Sequence, residues 1–208
     1  MNMENKKVVR NNTHEVRASE EDRIIEGYAA LYETPSDGLP FEEIIARGAF
    51  DGVIERSVTL ALLDHRQSRG VLAKNKNGKG TLSLVDDKVG LFYQFRSPST
   101  ELGNETIEGI TRGDIDGSSF AFDVEEDKWE KKSDGTWKRT ILKIGQLYDV
   151  SPVYNAAYSQ TSVYVRSKEQ AEELLQEQEA KLQKEQEERA KTNLPDSYYE
   201  NLHKSLIL

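Results

Sequence analysis

Apolar and polar residues alternate with a period of two over much of the chain, the spacing that turns successive strand side chains to opposite faces. RIIEGYAALYET (Arg23 to Thr34) is apolar and aromatic until TPSDGLP interrupts it, and SVTLALLDH (Ser57 to His65) reads as a buried strand. TLSLVDDKVGLFYQF (Thr81 to Phe95) reads as two strands around Asp86, Asp87 and Lys88. In WEKKSDGTWKRTILKI the dipeptide Asp134-Gly135 tolerates the positive φ angles of a type I′ turn. A hairpin built on that turn sets Glu130 opposite Arg139, an opposite-charge pair worth a few tenths of a kcal/mol. LYDVSPV and TSVYVRS supply two further strands, which makes at least eight short ones.

A period of 3.6 appears in few places. From Thr100 to Arg112, Leu102, Thr106 and Ile110 stack at i, i+4 and i+8, and Gly113 is placed to cap the C-terminus of that helix. A shorter helix is expected over Phe50 to Arg56. Many strands with few helices predict a mainly β (α+β) fold, a barrel-like β domain decorated by helices. After Ser167 the composition turns to KEQAEELLQEQEAKLQKEQEERAK, where Ala171, Leu175, Gln178 and Leu182 keep a 4-3-4 spacing. A charged helix with a thin apolar seam is expected there, as a solvated single helix or as a coiled-coil or partner contact. The chain is therefore divided into a flexible N-terminus (1–12), a β domain (13–166) and a charged helical tail (167–208). Residues 193 to 208 end in an apolar patch with no obvious core to join.

The 208 residues suffice for one domain of about 150 residues plus appendages, large enough to bury a core without disulfides or metals. Cysteine is absent, which excludes disulfide frameworks, thiolate zinc sites and cysteine-protease chemistry together. No apolar run approaches the roughly 20 residues of a membrane span, and the N-terminal MNMENKKVVRNN lacks an apolar signal core, so a chain that stays in the cytoplasm is expected. With a net charge of −9, nucleic-acid binding needs a local basic patch, and none is visible. The Lys74 to Lys79 stretch KNKNGK reads as a solvated turn.

Nucleophilic hydrolysis needs a hydroxyl, a base within hydrogen-bond reach and a third group that fixes the base. His14 and His203 lie in terminal segments, whereas His65 ends the apolar strand inside the expected domain. One internal histidine is too few for a metal-dependent hydrolase, and no cofactor is implied. Strand parity bears on the two serines of GDIDGSSFAF (Gly113 to Phe122). Phe120, Phe122 and Val124 share one face, expected to be the packed one, with Ser118 on it. Ser119 falls on the other face beside Ala121, which favours it as the nucleophile; a bulge at Gly117 would shift the register and favour Ser118. For the acid, Asp149 shares a strand face with Leu147 and Ser151, and a carboxylate among strand formers needs a partner. Asp64 is a poorer orienter because strand neighbours point to opposite faces, and Asp114 and Asp116 read as turn residues.

Four stretches in order resemble the prohead, or head-maturation, serine proteases of tailed bacteriophages, which are related to the herpesvirus assemblins. They are ARGAFDGVI (Ala46 to Ile54), LLDHR (Leu62 to Arg66), GDIDGSSFAF, and LYDVSPVYNAAYSQTSV (Leu147 to Val163); with DDKVGLFYQF between them they cover roughly residues 12 to 166. The resemblance implies an assemblin-like β-barrel and a catalytic set of His65, Ser119 before the first phenylalanine of the SFxF run, and Asp149 before a Val-Ser pair. Two positions depart from the pattern: Ser118 stands where an apolar residue is common, and Ala156 and Ala157 stand where a proline is usual. The function implied is a serine endopeptidase that processes the scaffolding segment of the major capsid protein, and itself, inside the phage prohead in the host cytoplasm. Self-association is part of that expectation, as are contact of the 167–208 tail with scaffold and its removal; neither nucleic acid nor membrane is. The rival reading is a non-catalytic capsid assembly or scaffold-interaction protein.

Overall fold

The alternating segments pair into two sheets in the computed structural model, which describes residues 8–12, 16–36, 39–154 and 162–192. The smaller sheet is antiparallel and joins β2 (Val16–Ser19), β3 (Ile24–Leu31), β9 (Gly90–Arg96) and β8 (Leu82–Asp86), in that order. The larger runs β1 (Val8–Asn12), β10 (Ile115–Lys131), β11 (Trp137–Tyr154), β5 (Val58–Ala61), β6 (Ala73–Lys76) and β7 (Lys79–Gly80), with β4 (Glu42–Ile45) also pairing with β11. Strand β11 is the hinge of the topology, antiparallel to β10 but parallel to β4 and β5. The expected mainly β class with a few helices is what forms. The strands do not close into a barrel: among the described residues the larger sheet ends at β7, two residues long, which offers too short a ladder to join the other edge.

The core lies between the sheets. Ile25, Leu91, Tyr93 and Phe95 from the smaller sheet are buried with Phe120, Phe122, Leu147 and Val150 from the larger. Phe120 stacks on Phe122 with centroids 4.6 Å apart, and Phe50 tilts against Phe120 at 6.1 Å. Helix α2 (Glu101–Arg112) buries Gly103, Thr106, Ile107 and Ile110 on the predicted face, with Leu102 packed at the margin. The Thr100 hydroxyl accepts from Gly103 N–H at its start, and Gly113, at φ 81°, ends it in the left-handed conformation. The shorter helix, α1, is confined to Val53–Arg56.

Two local expectations are corrected and a third is narrowed. The hairpin loop runs from Lys132 to Thr136, with Gly135 alone at positive φ (86°), so Glu130 faces Lys138 and Arg139 faces Trp129. Gly135 N–H donates to Lys132 C=O at 3.0 Å, the wider type I turn with a glycine bulge in place of a two-residue type I′ turn. Arg139 is thereby buried, donating to Asp127 Oδ2 at 2.6 Å and Glu43 Oε2 at 3.1 Å, its guanidinium over the Trp129 ring. The stretch TSVYVRS, read as a strand, is helical from Ser162 as the start of α3 (Ser162–Thr192). In KNKNGK the turn is Asn77-Gly78, both at positive φ, closing the β6–β7 hairpin.

The chain divides into two compact units, Met1–Ala171 and Glu172–Leu208. Within the second, Leu174, Leu175, Gln178 and Leu182 are half-buried on an otherwise exposed helix. Among the described residues no helix is long and apolar enough to cross a membrane. His14, His203, residues 155–161 and residues 193 to 208 lie outside the described residues.

Candidate active site

Three elements deliver one side chain each. Strand β5 stops at Ala61, and the chain then makes a tight turn in which Arg66 N–H donates to Leu63 C=O at 3.0 Å. Asp64 (φ 54°) and His65 (φ 57°) are both left-handed, the paired positive φ values of a type I′ turn. Asp and His are among the few non-glycine types that enter this region readily. His65 therefore sits in a turn, not in the strand that the apolar run predicted. Two bonds clamp the turn to β11: Leu62 N–H to Val150 C=O and Asp64 N–H to Pro152 C=O, each 3.1 Å. The Asp64 carboxylate pairs with Arg66 at 3.1 Å, turned to a different partner from the imidazole beside it.

Strand β11 carries the carboxylate. Ala121 pairs with Asp149 but Phe122 pairs with Leu147, so Tyr148 is an extra residue on this strand. The bulge corrects the expected parity: Leu147 joins Phe122 and Val150 in the core, whereas Asp149 and Ser151 lie on the opposite face with Ser119. Two buried hydroxyls of the β5 arm satisfy the bulge. Leu147 N–H donates to Ser57 Oγ and Thr59 Oγ1 donates to Leu147 C=O, both at 3.1 Å. These bonds explain why polar residues alternate inside an apolar strand, since an unpaired backbone group there would destabilise the sheet.

Strand β10 carries both serines, and they point apart. Ser118 is on the core side, its hydroxyl 2.9 Å from the Tyr93 phenol. Burial pushes the Tyr93 phenol well above its ordinary value, with the Ser118 bond acting in the other direction, so the phenol stays neutral. Ser119 lies directly opposite Ser151 in the ladder and diagonal to Asp149. Diagonal partners are too far apart for a hydroxyl and a carboxylate to touch, and an imidazole fits between them.

His65 fills that gap. Its Nδ1 is 2.5 Å from Asp149 Oδ1 and its Nε2 is 2.6 Å from Ser119 Oγ. A buried carboxylate accepts only, which assigns the proton to Nδ1 and leaves Nε2 to accept from the Ser119 hydroxyl. Ser119 is 0 % exposed and Asp149 1 %. Of the other acids weighed, Asp114 pairs with Arg112 at 3.0 Å. Among the described residues no group of three or more His, Cys, Asp or Glu side chains is placed to hold a metal ion. Sequence reasoning missed Ser57, Thr59 and Ser151; the available signal was hydroxyls recurring every second residue in otherwise apolar strands.

A hydroxyl, an imidazole and a carboxylate in one hydrogen-bonded row form an arrangement able to raise the nucleophilicity of a serine, here on a mainly β scaffold. The chain belongs to the family of Caudovirus prohead serine proteases, whose family model matches residues 12–177. Membership carries the class with it, a protease of bacteriophage capsid maturation. Among solved structures the chain is similar to the capsid assembly protease gp21 of bacteriophage T4. Identity is 12 %, the match covers 72 % of this chain and 98 % of that one, and the TM-score is 0.47. No curated protein matches the chain.

Proposed function

We propose that the chain is a serine endopeptidase in which Ser119 is the nucleophile, His65 the general base and acid, and Asp149 the group that orients and steadies the imidazolium. The observation that carries this reading is the continuous row from Ser119 Oγ through both ring nitrogens of His65 to Asp149 Oδ1. Ser119 Oγ attacks the scissile carbonyl as its proton passes to Nε2, and a tetrahedral oxyanion forms. Nε2 then returns that proton to the leaving amine, and the acyl-enzyme is hydrolysed by water through the same imidazole. Throughout, His65 Nδ1 keeps its proton, donated to Asp149, which stays ionised.

The substrate proposed is the scaffolding segment of the major capsid protein within the prohead, followed by the protease itself. Family membership supports a capsid-maturation substrate. The burial of Ser119 supports restraint of activity before assembly, because a carbonyl must come within about 3–3.5 Å of Oγ and the site has to open to admit it. The test is a fluorophosphonate probe with peptide mapping of the adduct. Phosphonylation at Ser119 that disappears in His65→Ala is expected, at a per-molecule rate that rises with protein concentration. An adduct on Ser118, or one indifferent to His65, would overturn the assignment.

A further inference from the structure

The hydrogen-bonded row has a fourth member that the reaction itself does not consume. Ser151 is 0 % exposed and lies directly across the ladder from Ser119. At a position this buried an apolar residue would suit better than a hydroxyl, which is favourable inside only when bonded. The bonds it makes are to the catalytic groups. Ser151 Oγ donates to Asp149 Oδ1 at 3.0 Å and lies 3.4 Å from His65 Nδ1.

We infer that Ser151 is a positioning residue that locks the carboxylate and imidazole in their reactive orientation, an inference that rests on the triad reading above. Oδ1 of Asp149 receives two donors, His65 Nδ1–H and the Ser151 hydroxyl, which restrains rotation of the carboxyl group about its Cβ–Cγ bond. With its proton given to Asp149, the Ser151 oxygen presents lone pairs towards the Nδ1 edge of the ring. A flipped imidazole would set a C–H against both oxygens and lose the Nε2 contact with Ser119. Ser151 therefore disfavours the flip without touching substrate. Its position two residues after Asp149 puts it on the acid's face once the bulge at Tyr148 is past.

The experiment measures saturation kinetics of fluorophosphonate labelling at Ser119 in the full chain, separating the maximal inactivation rate from the probe's half-saturation concentration. For Ser151→Ala the maximal rate is expected to fall by about 10- to 100-fold, the usual effect of loosened geometry, with half-saturation within about threefold. Ser151→Thr, which keeps the hydroxyl, is expected to recover most of the rate. In proton NMR spectra of Ser119→Ala, the downfield His65 Nδ1–H resonance is expected to move and exchange faster once Ser151→Ala is added, a change that a packing defect elsewhere would not produce. Should the alanine variant fail to fold, Ser151→Cys keeps the side-chain volume with a weak donor and is expected to show the same loss. A wild-type maximal rate in Ser151→Ala or in the folded cysteine variant, or an unmoved resonance, overturns the positioning role while leaving the triad intact. Wild-type protein that never labels at Ser119 removes the triad reading and this inference with it.

Discussion

Replacing Ser118 by alanine separates the two adjacent serines by what each holds. Ser118 and Tyr93 are both fully buried, and their hydroxyls are 2.9 Å apart. Removing Ser118 Oγ strands the Tyr93 hydroxyl in the core, and a buried hydroxyl without a partner destabilises by about 1–3 kcal/mol. In a domain of this size each kcal/mol moves the melting temperature by roughly 2–4 °C, so a fall of about 2–12 °C is expected. Tyr93→Phe in the same background removes the orphaned group. The double variant should be more stable than the sum of the single changes by about 1 kcal/mol. The assay is urea unfolding of the wild type, the two single variants, the double variant and Ser119→Ala at neutral pH, read from midpoints at constant slope, with fluorophosphonate labelling measured in parallel. Ser118→Ala should label at close to the wild-type rate despite its lower midpoint, and Ser119→Ala, which strands His65 Nε2 in the same way, should lose labelling altogether. An unchanged midpoint for Ser118→Ala with a loss of labelling would show that the parity assignment is inverted.

Other outcomes follow from the same structure. Arg139→Met leaves Glu43 buried without its cation, which should destabilise by about 3–5 kcal/mol in thermal melts, and adding Glu43→Leu should restore most of it. A Cβ on Gly90 would lie 2.0 Å from Ala30 C=O, so Gly90→Ala should separate β3 from β9 and destabilise by about 3 kcal/mol, the upper end of the usual overpacking range, in urea titration. Stability should also fall in alkali. Burial raises the Tyr93 phenol, and burial with the bond to Asp123 pushes Tyr148 up to about 12, whereas in the unfolded chain both ionise near 10.0. The unfolded state then holds fewer protons, so the contribution is complete below the unfolded value and is lost as pH climbs through 10.0 towards the folded values. Urea midpoints followed from about pH 8 to about pH 11 should decline less steeply in Tyr148→Phe.

Much of the scaffold was legible because short-range pattern decides it. The apolar run at Arg23 to Thr34 and the paired strands around Asp86 appear as β3, β8 and β9, and Thr100 and Gly113 bound α2 as capping chemistry requires. Parity separated Ser118 from Ser119 because the ladder is regular from Gly117 to Ala121. It failed one strand over, where the extra residue at Tyr148 shifts Asp149 off the face of Leu147. A bulge is held by long-range partners, here Ser57 and Thr59, which no local window contains. The same holds at His65: continuing the apolar strand to its end missed a left-handed turn clamped to β11. The hairpin slipped by one residue because Asp134-Gly135 fits two turn types, and the burial of Arg139 with Glu43 and Asp127 favours the wider one. Barrel closure was read from the number of strands, but it depends on edge lengths, and β7 is too short.

The central claim is that the hydroxyl of Ser119, activated through His65 and Asp149, cuts capsid protein. Intact-mass spectrometry of the major capsid protein co-expressed with the wild-type chain, with Ser118→Ala and with Ser119→Ala tests it most directly. The account predicts a shortened capsid protein beside wild type and Ser118→Ala and a full-length one beside Ser119→Ala, a loss of turnover of roughly four to six orders of magnitude. Shortened capsid protein beside Ser119→Ala, at the same site and extent as beside wild type, would contradict it.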